Sequence, residues 1–230
     1  MIQLDIWSDI VCPWCYIGKR RMERALEGFE EEVQITWRSF ELDPHSLTDP
    51  NLSLTEMLAK KYGMSLERAR QAQAQVTQAA KQEGLDFVFD EARPANTFDA
   101  HRLLQFAHTQ GKGGELKERL MRAYFSEGKP VGDLDTLTAL AAEVGLPEDR
   151  TREVLESDAF GAEVRGDEAK AMQLGVRGVP FFVINGTHGI SGAQPTEVFK
   201  QVFETVLAER APDQVEGGAQ CDDDGVCEVP

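Results

Sequence analysis

The sequence predicts an α/β protein in which a long helical segment interrupts a small β-sheet. Three observations support this prediction. Residues 2–7 and 33–40 alternate apolar and polar side chains, as half-buried strands do. Residues 53–174 are rich in helix-forming side chains. Strand signals return at residues 181–190, and the 230-residue chain is long enough to bury a substantial core.

The N-terminal elements form one βαβ unit. Apolar residues at helical spacing predict a helix over residues 16–29, between the strands at 2–7 and 33–40. The two strands are therefore expected to be parallel, with a right-handed crossover. A turn is predicted at residues 41–44, Glu-Leu-Asp-Pro.

Seven helices are predicted in the middle of the chain, separated by Gly or Pro breaks. Their expected bounds are 54–62, 65–83, 97–109, 114–126, 133–144, 147–157 and 158–174.

The C-terminal elements are two strands and a helix. Residues 181–184 form an apolar run, and Asn185-Gly186 is a strong signal for a two-residue hairpin turn leading into residues 187–190. An amphipathic helix is predicted at 196–209.

Taken in order, the elements are βαβ, a helical block, then αββα, which is a thioredoxin fold with an inserted all-helical domain. We expect residues 1–52 and 175–210 to form the thioredoxin-like domain. Residues 53–174 are the helical insertion, whose last helix is expected to pack on the sheet. Residues 211–230 are expected to be a flexible acidic tail, because they lack Lys and Arg and are rich in Asp and Glu.

The motif Cys12-Pro13-Trp14-Cys15 lies where the first strand ends and the first helix begins. Unpaired N–H groups and the helix dipole at this position favour a thiolate, so we expect the pKa of Cys12 to lie below the free value of about 8.5. Pro13 is tolerated because a first-turn residue needs no N–H for helical hydrogen bonding. Since thiolates attack disulfides, the motif predicts attack by Cys12 and resolution of the mixed disulfide by Cys15.

Half of a zinc site is the alternative explanation for two cysteines at this spacing. The chain does contain a second pair, Cys221 and Cys227. The Pro-Trp insertion and the strand-to-helix position of the first pair favour redox chemistry. We therefore predict no metal ligands, and no cofactor signature is present.

Composition limits the class of partner and the compartment. The chain has 40 acidic and 24 basic residues, a net charge of −16, which argues against nucleic acids and anionic membranes as partners. No apolar run approaches the roughly 18 residues of a membrane span. With no signal-peptide pattern at the start, a cytoplasmic protein is expected. Four cysteines in that compartment indicate transient redox chemistry rather than structural disulfides.

Two segments carry a family resemblance. Residues 8–19, Ser-Asp-Ile-Val-Cys-Pro-Trp-Cys-Tyr-Ile-Gly-Lys, resemble the active-site signature of the DsbA superfamily, and most closely its cytoplasmic FrnE-type branch. Residues 178–186, Gly-Val-Pro-Phe-Phe-Val-Ile-Asn-Gly, are similar to the second signature of that superfamily. The resemblance extends to about Glu209.

The resemblance implies a function and a second part of the site. Pro180 is expected to follow a cis bond and to face the cysteines, although a trans proline that starts a strand is the simpler alternative. The Val179 backbone could then pair with an extended substrate. The implied activity is thiol–disulfide exchange or disulfide isomerisation on protein cysteines, with glutathione or a thioredoxin-type protein as recycling partner.

Other features admit two interpretations each. A basic cluster in the first helix (Lys19, Arg20, Arg21 and Arg24) either lowers the pKa of Cys12 and steers acidic partners, or is a solvated face. His101 either lines the active-site cleft or is a hydrogen-bonded structural residue. The tail pair, Cys221 and Cys227, is either an accessory redox pair that recycles the main one, or a local disulfide or two idle thiols.

Two other function classes stay open. One is a glutathione-dependent transferase or small-molecule isomerase of the kappa and hydroxychromene-carboxylate type, which shares the fold but uses a serine. The presence of both cysteines argues against it. The other is a non-enzymatic zinc-binding chaperone.

Overall fold

The computed structural model describes residues 1–29, 33–46 and 51–209. Its strands are β1 (Ile2–Ser8), β2 (Val33–Ser39), β3 (Phe181–Ile184) and β4 (His188–Ser191). They form one sheet in the order β2-β1-β3-β4. β1 is parallel to β2 and antiparallel to β3, and β3 is antiparallel to β4. The mixed sheet and the helical block between β2 and β3 confirm the predicted α/β fold with a helical insertion.

The described ranges contain nine α-helices. They are α1 (Pro13–Leu26), α2 (Leu54–Tyr62), α3 (Leu66–Gln82), α4 (Phe98–Thr109), α5 (Gly113–Glu127), α6 (Leu134–Glu143), α7 (Glu148–Leu155), α8 (Gly161–Gln173) and α9 (Thr196–Ala208).

Two helices begin three residues away from their predicted starts, for local reasons. α1 begins at Pro13 rather than at residue 16, because Pro13 occupies the first helical position and Cys12 is the N-cap. α8 begins at Gly161 rather than at residue 158, because Phe160 takes the left-handed conformation, with φ 63°.

The sheet is covered on both faces. Met22 of α1 and Phe199 of α9 pack with Ile6 in one core cluster. Ala171 of α8 packs with Trp7 and Val183 in another. The indole Nε1 of Trp7 donates a 2.8 Å hydrogen bond to the Asp167 carbonyl oxygen of α8. The last helix of the block therefore lies against the sheet.

The core of the helical block reaches the cysteine motif. Cys12, Cys15 and Tyr16 belong to the same buried cluster as Leu103 of α4 and Leu120 of α5. The motif therefore lies where the helical block packs against the sheet and α1. No helix among the described residues is long and apolar enough to cross a membrane.

The β3–β4 hairpin has a longer connection than predicted. Asn185 and Gly186 have φ angles of 50° and 74°, and the Thr187 N–H donates a 3.1 Å hydrogen bond to the Ile184 carbonyl oxygen. This is the turn that Asn-Gly favours. Strand pairing resumes with His188 opposite Ile184, so three residues connect the strands instead of two.

Candidate active site

Cys12 is the N-cap of α1, with φ −90° and ψ 110°. Its carbonyl oxygen accepts hydrogen bonds from the N–H groups of Cys15, at 3.1 Å, and Tyr16, at 3.4 Å. Both cysteines are free thiols, and they are 3% and 1% exposed. Trp14 between them is 43% exposed. Both cysteine residues are therefore almost completely shielded from solvent, whereas the Trp14 indole between them lies at the surface.

The second signature faces the first. The Val179–Pro180 peptide bond is cis, as expected from the sequence. The Cys12 thiol donates a hydrogen bond to the Val179 carbonyl oxygen, 3.6 Å away. The Pro180 carbonyl oxygen accepts a 2.8 Å hydrogen bond from the Gly192 N–H, which attaches this loop to the segment after β4. The Val179 backbone therefore lies beside the Cys12 sulfur.

Gly18 allows α1 to approach the Pro180 loop. A Cβ atom at position 18 would lie 3.0 Å from Pro180 Cγ and 3.4 Å from Ala193. Such a distance to Pro180 is shorter than ordinary van der Waals contact, so a larger residue must displace the loop. The glycine inside the first signature therefore keeps the two signatures in contact.

The expected lowering of the Cys12 pKa is wrong for this geometry. The side-chain hydrogen bond with Cys15 raises the pKa of Cys12 well above its ordinary value, and burial raises it further. The negative charge of Asp9 acts in the same direction, while the Cys15 backbone N–H lowers the pKa less than these effects raise it. The helix-start argument did not include burial or a second thiol that shares the proton.

The basic cluster of α1 does not supply free positive charge. Its four side chains all form ion pairs: Lys19 and Arg20 with Glu23 and Glu118, Arg21 and Arg24 with Glu83. The Lys19–Glu118 distance is 2.6 Å, and Lys19 is only 5% exposed. The hypothesis that this cluster steers acidic partners is therefore not supported, and Lys19 does not belong to a solvated face.

Asp9 and His101 form a buried pair next to the motif. His101 Nε2 lies 3.2 Å from Asp9 Oδ1, and both side chains are 1% exposed. Asp9 also accepts hydrogen bonds from the N–H groups of Ile10, at 2.7 Å, and Leu42, at 2.8 Å. Burial raises the pKa of Asp9, but the His101 interaction, the Leu42 N–H and the positive charge of Lys117 outweigh it, so the pKa is lowered overall. Of the two interpretations of His101, the structure therefore favours a hydrogen-bonded structural residue over one that lines the active-site cleft.

Lys117 of α5 is the site residue that the sequence analysis missed. Its side chain is fully buried, and its Nζ donates a 3.1 Å hydrogen bond to the Ser8 carbonyl oxygen. Burial lowers the pKa of Lys117 to about 8, although the charges of Cys15 and Asp9 favour the protonated form. Helical periodicity contained the signal, because Lys117 lies on the same face as Gly113, Leu120 and Tyr124, all of them buried.

A cavity of about 460 Å³ adjoins the motif. Cys12, Pro13 and Trp14 form part of its wall, together with Val179. Much of the remaining lining comes from α2 and α3 of the helical block. A group bound in this cavity would therefore be next to the Cys12 sulfur.

The tail pair, Cys221 and Cys227, lies outside the described residues, so its role stays a prediction. Within residues 1–29, 33–46 and 51–209, no group of three or more His, Cys, Asp or Glu side chains is arranged to hold a metal ion.

Comparisons with known proteins cover most of the chain. The family model of the DSBA-like thioredoxin domain matches residues 3–204. The uncharacterized protein YwbO of Bacillus subtilis (strain 168) is 31% identical over 204 residues, which are 88% of this chain and 96% of YwbO. The crystal structure of a probable DsbA oxidoreductase from Streptomyces coelicolor is similar over 100% of both chains, with 41% identity and a TM-score of 0.87.

A more distant structure shares the fold. The cytosolic disulfide reductase DsbM from Pseudomonas aeruginosa, solved with GSH, is 18% identical, with a TM-score of 0.64. The match covers 90% of this chain and 99% of DsbM. The family-model match and the match to the Streptomyces coelicolor structure include both signatures and the helical block between them.

Proposed function

We propose that this chain, which belongs to the DSBA-like thioredoxin domain family, is a thiol–disulfide oxidoreductase that acts on protein cysteines, and that it works chiefly as a reductase. The observation that carries the proposal is the position of Cys12. Its thiol lies at the N-terminus of α1, contacts the Val179 carbonyl oxygen and borders the cavity, while Cys15 is one turn further along the helix.

The chemistry is a two-step exchange. The Cys12 thiolate attacks a substrate disulfide and forms a mixed disulfide, and one substrate sulfur leaves as a thiolate that takes up a proton. The Cys15 thiolate then attacks the Cys12 sulfur, which forms the Cys12–Cys15 disulfide and releases the second substrate thiolate. The substrate gains two electrons, and the protein dithiol loses two.

The raised pKa of Cys12 supports the reducing direction. A strong oxidant of this fold holds its reduced form as a stable thiolate, which makes its disulfide easy to reduce. Burial and the Cys15 hydrogen bond instead destabilise a Cys12 thiolate here, so the reduced form gains less stability. We therefore expect a potential near the thioredoxin value of about −270 mV rather than the DsbA value of about −120 mV.

Each turnover needs a reductant to restore the dithiol. We propose the tail pair, Cys221 and Cys227, as an internal relay, with glutathione or a thioredoxin-type protein as the external electron source. The support for this relay comes from the sequence alone, which places a second cysteine pair near the end of the chain. A reducing role also fits a cytoplasmic location, where thiols are mostly kept reduced. Changing both tail cysteines to Ser should slow multiple turnover without changing the first exchange.

The direct test is a redox titration combined with trapping. Purified protein is equilibrated in glutathione buffers, and the Cys12–Cys15 state is read from Trp14 fluorescence and from the mass of alkylated thiols. A potential above about −200 mV would contradict the reducing direction. Cys15→Ser should accumulate mixed disulfides with a disulfide-bonded test protein, whereas Cys12→Ser should form none. Absence of mixed disulfides with Cys15→Ser would overturn the oxidoreductase function itself.

The same variants separate the other function classes. A glutathione-dependent isomerase would keep small-molecule turnover in Cys15→Ser and would bind glutathione specifically. A zinc-binding chaperone would hold stoichiometric metal and protect client proteins without Cys12. We expect neither result.

A further inference from the structure

We propose, on the basis of the function proposed above, that the cavity beside Cys12 binds a bulky apolar side chain next to the reacting cysteine of a substrate polypeptide. The protein would then select disulfides by the residue that flanks the cysteine. Cys12 itself forms part of the cavity wall. A substrate whose cysteine reacts with Cys12 therefore brings the neighbouring residue to this cavity.

The size and lining of the cavity fit such an occupant. Its volume of about 460 Å³ is within the range of ligand pockets and exceeds that of one side chain. Apolar residues make up much of the wall: Val11, Leu54, Met57, Leu58, Val76 and Phe89. The cavity can therefore take an apolar side chain together with part of its backbone.

Gln73 supplies an unused hydrogen-bond donor in this wall. The residue is 8% exposed, and its Oε1 accepts a 2.8 Å hydrogen bond from the Thr55 hydroxyl. Its Nε2 has no hydrogen-bond partner among the described residues. Buried donors are nearly always paired in proteins, so this one calls for an acceptor on the occupant. A peptide carbonyl oxygen next to the bound side chain provides it.

The rim indicates an occupant larger than the cavity. Three of the exposed large apolar residues, Trp14, Leu42 and Tyr62, border the same opening, and they are 43%, 42% and 63% exposed. Clustered apolar surface around a pocket is typical of a protein interaction site. A small molecule held wholly inside would leave this rim unused, whereas a polypeptide would cover it.

The charges around the cavity disfavour glutathione as the occupant. Lys61 and Asp43 form a 2.7 Å ion pair in the lining, so each neutralises the other. Asp9 adds a buried carboxylate whose pKa is lowered. Glutathione has two carboxylates, and binding here would place them against apolar surface and near the negative charge of Asp9, which is unfavourable. An uncharged apolar peptide segment meets no such penalty.

The test measures exchange with short peptides. Reduced protein is mixed with symmetric disulfides of Ac-Gly-X-Cys-Gly-NH2 and Ac-Gly-Cys-X-Gly-NH2, where X is Phe, Leu, Gly or Asp, and with glutathione disulfide. Second-order rate constants are read from Trp14 fluorescence and from quenched samples by mass spectrometry. In at least one of the two series we expect Phe or Leu to react about tenfold faster than Gly, and Asp and glutathione to be slower still.

Matched variants on α3 locate the selection. Both Ala72 and Ala74 are exposed, but Ala72 lines the cavity and Ala74, two residues along, does not. Ala72→Phe fills the cavity and should bring the Phe-to-Gly rate ratio close to one, while Ala74→Phe should keep the wild-type ratio. Gln73→Glu keeps the acceptor for Thr55 but replaces the donor, and should lower the Phe and Leu rates about fivefold.

The outcomes separate this inference from the proposed function. Equal rates for all X, or faster reaction with glutathione disulfide than with every peptide, overturn the inference and leave the oxidoreductase intact. An unchanged ratio in a folded Ala72→Phe variant also overturns it, as does an unchanged Phe rate in Gln73→Glu. If no disulfide reacts at all, and Cys15→Ser traps no protein, the proposed function fails first.

Discussion

Lys117 Nζ donates a 3.1 Å hydrogen bond to the carbonyl oxygen of Ser8, the last residue of β1, with no part of the lysine exposed to solvent. The ammonium also lies 5.8 Å from the centre of the Trp37 ring. The end of β1 is therefore hydrogen-bonded to a buried amine. Burial lowers the pKa of this amine to about 8.

This amine makes stability depend on pH in a defined window. Between pH 8 and the unfolded value of about 10.4, the unfolded chain holds a proton on Lys117 that the folded chain lacks. The free energy of unfolding should therefore rise with pH in this window, by at most about 1.4 kcal/mol per pH unit. Lys117→Met should lose this rise. The measurement is urea unfolding at pH 7.5, 8.5 and 9.5, in a Cys12→Ser/Cys15→Ser background so that the thiols do not titrate.

Lys112→Met is the control for this prediction, because Lys112 is the N-cap residue of the same helix but is partly exposed. It should follow the unsubstituted protein. Parallel stability curves for Lys117→Met and the parent protein would show that Lys117 does not titrate in this range.

Asp9 should make protein stability depend on pH in the acidic range. Its folded pKa is lowered, so its stabilising contribution is present above the unfolded value of about 3.9 and is lost as pH falls through the folded value. Asp9→Asn should unfold with about 1–3 kcal/mol less free energy at pH 7, because it leaves buried donors such as the Leu42 N–H poorly paired. The deficit should shrink below about pH 3.9.

Urea unfolding at pH 7, 5 and 3 checks this expectation. Asp86→Asn is the control, since Asp86 is exposed and its replacement should change stability by less than about 0.5 kcal/mol. A deficit for Asp9→Asn that stays constant down to pH 3 would mean that the Asp9 charge contributes nothing to stability.

Gly18 and Gly178 offer a test of the contact between the two signatures. Gly18→Ala places a Cβ 3.0 Å from Pro180 Cγ, so the Pro180 loop must move away from α1. We expect a loss of about 1–3 kcal/mol in unfolding free energy and slower exchange with disulfide substrates. Gly178→Ala, in the Pro180 loop itself, meets no atom within 4 Å and should change neither quantity much. Equal exchange rates for the two variants would mean that the loop position does not control the reaction.

Most of the fold could be predicted because most elements carry a periodic signal and many of them begin or end near a Gly or Pro. The bounds of α2 and β3 match the prediction residue for residue. Errors occur where the backbone does something that local composition does not encode. The hairpin after Ile184 takes one residue more than the Asn-Gly signal implies, and Phe160 delays α8 by adopting a positive φ.

The site divides in the same way. The cysteine pair and the cis bond before Pro180 could be predicted, because short local motifs indicate them. The direction of the Cys12 pKa shift could not be predicted, because burial and the Cys15 hydrogen bond come from tertiary packing. Lys117 and Gln73 are single polar residues on helices, and only the packed structure places them beside the motif and the cavity.

Gly113 and Gly114 open α5 side by side but should respond oppositely to the same substitution. A Cβ at position 113 would lie 1.7 Å from Cδ2 of the partly buried His108 ring, whereas one at position 114 would lie 3.8 Å from Trp37 Nε1. Gly113→Ala must therefore displace His108 and should cost about 1–3 kcal/mol. Gly114→Ala relieves the entropic cost of a helical glycine and should stabilise by about 0.5 kcal/mol.

Thermal and urea unfolding of the two variants, in the reduced state at pH 7, provides the comparison. Since α5 also carries Lys117, displacement of its first turn should reach the active site. Gly113→Ala is therefore expected to slow disulfide exchange as well, while Gly114→Ala should leave the rate unchanged. If both alanines stabilise the protein, the His108 ring has room to move, and the start of α5 is not fixed by this contact.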